Sequence, residues 1–308
     1  MSRATSAALP SEEVTTQPFR TLLAALLAVL ATGTALTACS ASATPAAPAS
    51  YYLALGDSLS QGVQPDAVGA SVKTGQGYPD QLYAVLHKNH PGLRLVQLGC
   101  AGETTATMLH GGICRYQGGS QVAAAEAFLR AHRGHLLLVT LDIGANDPQD
   151  CVNTSGLGMI SSCITSMPDA VRNLSTILTD LRTAAGPDPR IVGMSYYLPE
   201  LSQWRNGYFG QEVARLSVRI ASGYNDMLMH TYAQADVPVA DVFGAFGTTD
   251  FGDEQTVPGF GSLPRNVALL CRWTWACAPP PRGPNQHANQ AGYAVIANAF
   301  LHAAGFAS

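Results

Sequence analysis

Charge is scarce in this chain. Only 12% of its 308 residues are Asp, Glu, Lys or Arg, and the acids outnumber the bases by 21 to 17. No basic stripe of the kind that tracks a phosphate backbone is present, which excludes a nucleic-acid partner. No Cys-x-x-Cys pair occurs and the histidines are scattered, so nothing has the ligand spacing of a zinc site. No metal or organic cofactor is expected. No internal period of roughly 20 to 50 residues marks a repeat architecture. No apolar run reaches the roughly 20 residues of a membrane-spanning helix. The longest, Thr21 to about Leu36, is too short and ends in small residues.

That run, preceded by Arg20, has the make-up of a secretory signal core. The stretch Leu36-Thr37-Ala38-Cys39 resembles a bacterial lipobox, whose cysteine becomes the lipid-bearing first residue. The expected organisation is a lipoprotein-type signal over residues 1–38 and a flexible Ser-, Ala- and Pro-rich tether over 39–49. One α/β domain then fills 50–308. The protein would be exported and either lipid-anchored at Cys39 on the outer face of the membrane or, after plain cleavage nearby, secreted. A monomer is expected. Beyond Cys39 the chain has Cys100, Cys114, Cys151, Cys163, Cys271 and Cys277. An even number in an exported chain implies disulfides, and pairing each cysteine with its neighbour is the simplest connectivity.

Five apolar runs rich in β-formers punctuate the domain: 51–55, 93–98, 136–144, 191–197 and 237–243. Their near-continuous apolarity suits strands covered on both faces. Helical periodicity lies between them, around 79–86, 123–131, 167–185 and 211–235, with a final helix over about 289–303. In 211–235 the apolar stripe reads Val213, Leu216, Ile220 and Tyr224. Alternating strands and helices imply right-handed crossovers, a mostly parallel five-stranded sheet and a three-layer α/β/α sandwich. Ligands in such sheets collect at the carboxyl ends of the strands.

The strand ends carry a consistent set. Gly56-Asp57-Ser58 follows the first run, and Gly99-Cys100-Ala101-Gly102 the second. Gly144-Ala145-Asn146-Asp147 follows the third, and His287 precedes the last helix. Acyl transfer needs those residue types together. A serine hydroxyl is a weak nucleophile until an imidazole accepts its proton, and the tetrahedral intermediate needs donors for its oxyanion. Asp57 is expected to bond backbone N–H groups of its own turn.

The order Gly-Asp-Ser, Gly, Gly-x-Asn-Asp, then a late His before Asn-x-x-Gly-Tyr resembles the SGNH-hydrolase, or GDSL, family over residues 56–293. The resemblance implies a flavodoxin-like sandwich and hydrolysis of esters or thioesters, with an acyl-ester or lipid as substrate. It implies Ser58 as nucleophile, His287 as general base, and an oxyanion hole from Ser58 N–H, Gly102 N–H and the Asn146 side chain, with Gly99 the alternative glycine. The chain departs from the family where an acid commonly precedes the histidine: Pro284 and Asn285 stand there. The expectation is therefore a Ser58–His287 dyad whose ring is oriented by a backbone carbonyl from residues 272–284. Trp273 and Trp275 could pack the loop or wall the acyl pocket, and Tyr196 and Tyr197 could line the cleft. An acyltransferase, a polysaccharide deacetylase and a non-catalytic ligand-binding surface lipoprotein stand as alternatives.

Overall fold

The structure is a computed structural model that describes residues 49–148 and 157–307, with the backbone only over 157–165. The described residues belong to one compact unit. It opens with β1 (Ser50–Gly56), the short hairpin β2 (Gln64–Pro65) and β3 (Ser71–Val72), α1 (Tyr78–Asn89) and β4 (Leu93–Gln97). Two helices, α2 (Thr105–His110) and α3 (Gln121–Ala131), lead to β5 (Leu136–Asp142), α4 (Leu157–Ala185) and β6 (Arg190–Met194). After a 3₁₀ turn at Pro199–Arg205 come α5 (Gly207–Gln234), β7 (Val239–Ala240) and α6 (Val242–Ala245). A second hairpin, β8 (Gln255–Val257) with β9 (Gly261–Leu263), precedes α7 (Arg265–Trp273) and α8 (Gln290–Ala303).

All five apolar runs enter one sheet in the order β4-β1-β5-β6-β7, and every pairing is parallel. The first strand sits between the second and third, the flavodoxin-like order. Helices flank the sheet in a three-layer sandwich. The Tyr78 ring of α1 stacks on Phe300 of α8 at 4.6 Å, while α4 packs between α3 and α5. Burial explains the strands: Tyr52 to Leu55 and Leu138 to Leu141 have no solvent exposure. Among the described residues no helix is long and apolar enough to cross a membrane.

The stripe expected on α5 is out of phase. Leu216 and Ile220 are 55% and 45% exposed, whereas Ala214, Val218, Tyr224, Leu228 and Tyr232 face inward. Of the expected stripe Tyr224 faces inward and Val213 is half-buried; small Ala214 carries little hydropathic weight, so an apolar count tilts toward Leu216 and Ile220. α4 also starts ten residues before its expected beginning and runs through Pro168.

Candidate active site

Gly56 ends β1 at φ +132°, where a Cβ would lie 2.0 Å from the Asp142 carbonyl oxygen of the neighbouring strand. Only glycine fits this crossing. Gln121 of α3 clamps it, donating Nε2–H to Gly56 O at 2.9 Å and accepting Gly56 N–H at 2.7 Å. The turn beyond has four backbone N–H groups to satisfy, and two buried carboxyls take three of them. Asp57 Oδ1 accepts from Leu59 N at 2.9 Å. Asp142 takes Asp57 N through its backbone oxygen at 3.0 Å and more loosely through Oδ2 at 3.3 Å, and its Oδ2 accepts from Ser60 N at 3.2 Å. The Ser58 N–H alone donates to no protein acceptor among the described residues.

Gly102 and Gly99 separate cleanly. Gly102 lines the same pocket as Ser58, has φ +83°, and its N–H meets no protein acceptor among the described residues. Gly99 packs instead against Ser60, whose Oγ lies 1.8 Å from where a Cβ would stand. Asn146 also lines the pocket. Its Nδ2 donates to Glu103 O at 2.9 Å and, more loosely, to Asp57 Oδ2 at 3.4 Å. Asp147 bonds Thr105 at the start of α2 through both N (3.0 Å) and Oγ1 (2.5 Å), fixing the Gly-Ala-Asn-Asp loop to the loop that carries Gly102.

His287 reaches the pocket from the far end of the chain, and the structure corrects what orients it. Its Nδ1 bonds the Asn285 side-chain oxygen at 2.8 Å, not a backbone carbonyl of residues 272–284. The same oxygen accepts His287 N–H at 3.0 Å, and the Asn285 Nδ2 donates to Ser71 Oγ of β3 at 3.1 Å. With its NH₂ turned to Ser71, the amide presents an acceptor to the ring. Nδ1 therefore carries the proton and Nε2 carries the lone pair. Burial, at 8% exposure, pushes the His287 pKa down to about 4. An amide contributes no negative charge to offset that cost.

Ser58, Gly102, Asn146 and His287 thus line one pocket of about 320 Å³, together with Gln61, Ser71 and Lys73. This is the set that acyl transfer requires. Trp273 and Trp275 pack the loop: Trp273 meets Phe246 edge-on, and Trp275 Nε1 donates to Gln64 at 3.2 Å. Tyr197 is buried beneath the site and donates to Gln286 O at 2.9 Å, steadying the residue before His287. Cys100–Cys114 and Cys271–Cys277 are bonded, closing the loops that carry Gly102 and precede His287. Cys39 and Cys151 lie outside the described residues, as does the side chain of Cys163, so the expected Cys151–Cys163 pair falls there too.

Sequence reasoning missed Asp142 and the role of Asn285. Asp142 ends an otherwise apolar strand, and an acid inside such a run is the signal that marks it. Burial raises both carboxyls, Asp57 to about 6 and Asp142 further above its ordinary range, where the Asp57 charge adds to the effect. Among the described residues no group of three or more His, Cys, Asp and Glu is arranged to hold a metal ion.

Residues 54–295 match the GDSL-like lipase/acylhydrolase family, and the chain belongs to it. It is a carboxylic ester hydrolase. No curated protein sequence matches it. Among solved structures it resembles a protein from Parabacteroides merdae described as a GDSL-like lipase. That match has a TM-score of 0.53 and 12% identity over 84% of this chain and 96% of that one. An acetylxylan esterase from Geobacillus stearothermophilus gives 0.50 and 15% over 84% and 95%. At these identities the likeness is one of fold.

Proposed function

We propose that this chain is an exported serine esterase that removes small acyl groups from polar alcohols. Ser58 Oγ attacks the ester carbonyl while His287 Nε2 takes its proton. The same proton then passes to the departing alcohol oxygen, leaving an acyl-Ser58. Water, deprotonated by His287, attacks the acyl carbon; the C–Oγ bond breaks, His287 returns that proton to Ser58 Oγ, and the acid is released. Ser58 N–H, Gly102 N–H and Asn146 Nδ2–H bond the oxyanion in both halves. Asn285 holds the ring in the tautomer that can act as base. The observation that carries this reading is the convergence of Ser58, Gly102, Asn146 and His287, from four separate segments, on one pocket.

The pocket's size and lining support a small acyl group and a polar alcohol. Gln61, Ser71, Lys73 and Gln286 are poor company for a long alkyl chain, and Lys73 is the one cation among the lining residues. Labelling with a fluorophosphonate tests the nucleophile: the wild type is labelled and Ser58→Ala is not. A nitrophenyl ester series tests the acyl group. Acetate or butyrate should be preferred; a rate that climbs to decanoate refutes the small-acyl reading. Export with a lipid on Cys39 rests on the leader's composition. Metabolic palmitate labelling that survives Cys39→Ala would refute it.

A further inference from the structure

The hairpin β2–β3 is pinned to the loop that carries His287. At its turn, Asp66 Oδ1 accepts from Val68 N and Ala70 N, each at 2.9 Å. A Cβ on Gly69, at φ +90°, would stand 2.1 Å from Pro281 O, so the turn lies directly against that loop. Gln64 of β2 takes the Trp275 Nε1–H, and Ser71 of β3 takes the Asn285 amide at 3.1 Å. Just beyond β3, Thr74 Oγ1 donates to Gly62 O at 2.6 Å. Lys73 stands between these last two anchors. Ser71 and Lys73, two apart in the chain, both line the pocket that holds Ser58 and His287.

Lys73 is exposed, and its ammonium is uncommitted. Among the described residues it forms no ion pair and no hydrogen bond. Its charge reaches Asp80 of α1, but that carboxyl is engaged by Gly77 N at 3.0 Å. Gln286 adds a second donor: it lines the pocket beside His287, and its side-chain amide bonds nothing among the described residues. The acids of the site adjoin the other segments, Asp57 next to Ser58, Glu103 next to Gly102 and Asp147 next to Asn146. The free cation thus belongs to the side of the pocket that holds His287. That is the side from which the alcohol leaves, since His287 hands it the proton.

We propose that Lys73 is a specificity-determining residue that binds an oxyanion group, a carboxylate or a phosphate, carried by the alcohol part of the ester. The inference rests on the roles proposed above for Ser58 and His287. Such a group would meet the ammonium in a charge-assisted hydrogen bond, with the Gln286 amide beside it. Without Lys73 it would face only the carboxyls of the site, which repel it. A neutral alcohol makes no use of the charge.

The test uses acetyl esters that differ in the alcohol alone: para-acetoxybenzoate and para-acetoxyphenyl phosphate, which are anionic, and neutral methyl para-acetoxybenzoate. The readout is the ratio of kcat/KM for an anionic ester to that for the neutral one, so a general loss of activity cancels. Lys73→Gln should lower this ratio about five- to tenfold, mostly through KM, and Lys73→Glu should lower it further. Lys73→Arg, which keeps the charge, should hold most of it. Raising the salt from about 0.02 to about 0.3 M should shrink the wild-type ratio and leave that of Lys73→Gln unchanged, a response that packing alone does not give. The arm that falls more on substitution tells carboxylate from phosphate, and a fall in either supports the proposal. Ratios that stay within about twofold of wild type in folded Lys73→Gln and Lys73→Glu overturn it. A wild type that hydrolyses none of the three esters and takes no fluorophosphonate label fails differently: it refutes the serine mechanism, and this inference falls with it.

Discussion

Replacing Asn285 by Asp restores the carboxylate that this site lacks, and the consequence can be worked from the geometry. His287 titrates at about 4 rather than its ordinary 6.5, with burial as the cause. At about 1.36 kcal/mol per unit, its imidazolium is disfavoured by roughly 3 kcal/mol. Only neutral His287 can act as base, so wild-type kcat/KM should be half-maximal on the acid side near pH 4. A carboxylate at position 285 would stand about 2.8 Å from Nδ1, where the amide oxygen now sits. An opposite charge this close raises a basic pKa by about 1 to 3 units. The acid limb of Asn285→Asp should therefore move to between about pH 5 and 7. Asn285→Ala, with no acceptor for Nδ1–H, should lose about 10- to 100-fold in kcat, since the ring is free to take the wrong tautomer. The assay is initial hydrolysis of a nitrophenyl acetate from pH 3.5 to 9, read at the isosbestic wavelength. An acid limb that stays put in an active Asn285→Asp would show that the titrating group is not an imidazole in contact with residue 285.

Two further outcomes follow from the same site. Asp57 titrates near 6 against an ordinary 3.8, so its contribution to stability is present at low pH and is lost as pH rises through about 6. Asp57→Asn should flatten that decline, with urea unfolding at pH 4.5 and 8 showing a smaller difference than wild type; the full effect is about 3 kcal/mol. An unchanged difference would mean that Asp57 is not ionised where the structure buries it. Mild reduction should lower activity before the sheet melts, because the Cys100–Cys114 bridge closes the loop that carries Gly102. A loop of this length is worth roughly 3 kcal/mol in the chain-entropy account. Simultaneous loss of activity and far-UV circular dichroism would count against it.

What the sequence made legible was what burial writes in long runs. All five sheet strands could be read; the central β1, β5 and β6 are covered on both faces, which makes them near-continuous apolar segments, while the edge strands β4 and β7 are only partly buried. The hairpins β2–β3 and β8–β9 were not legible, since strands of two or three residues carry no periodicity. The long helix α5 was found with Tyr224 on its inward face, but Leu216 and Ile220 were misplaced where small Ala214 does the packing. Ser58, Gly102, Asn146 and His287 were all recognisable from their order along the chain, and the pocket brings them together. Asn285 hid for a different reason. An amide is an orienting group only if something fixes its flip, and Ser71 does so from 214 residues away in the chain. Long-range hydrogen bonds of that kind leave no local pattern.

The two features that sequence reasoning missed have one electrostatic sense. Catalysis builds negative charge on the carbonyl oxygen of the substrate, in a site that gathers four carboxyls: buried Asp57, Glu103 and Asp142, and half-buried Asp147. Every carboxylate that stays ionised there opposes the oxyanion. Asparagine at 285 keeps the tautomer of His287 without adding a charge, and burial pushes the Asp142 carboxyl well above the usual carboxylate range, which disfavours a charge beneath the turn. Asp57 remains, with its charge spread over Leu59 N–H and the amide of Asn146. That amide is polarised toward Asp57 in the resting enzyme through its longer bond. Under the proposed mechanism the oxyanion would place a second demand on that amide, and the 3.4 Å contact, longer than the 2.9 Å bond to Glu103 O, would yield first.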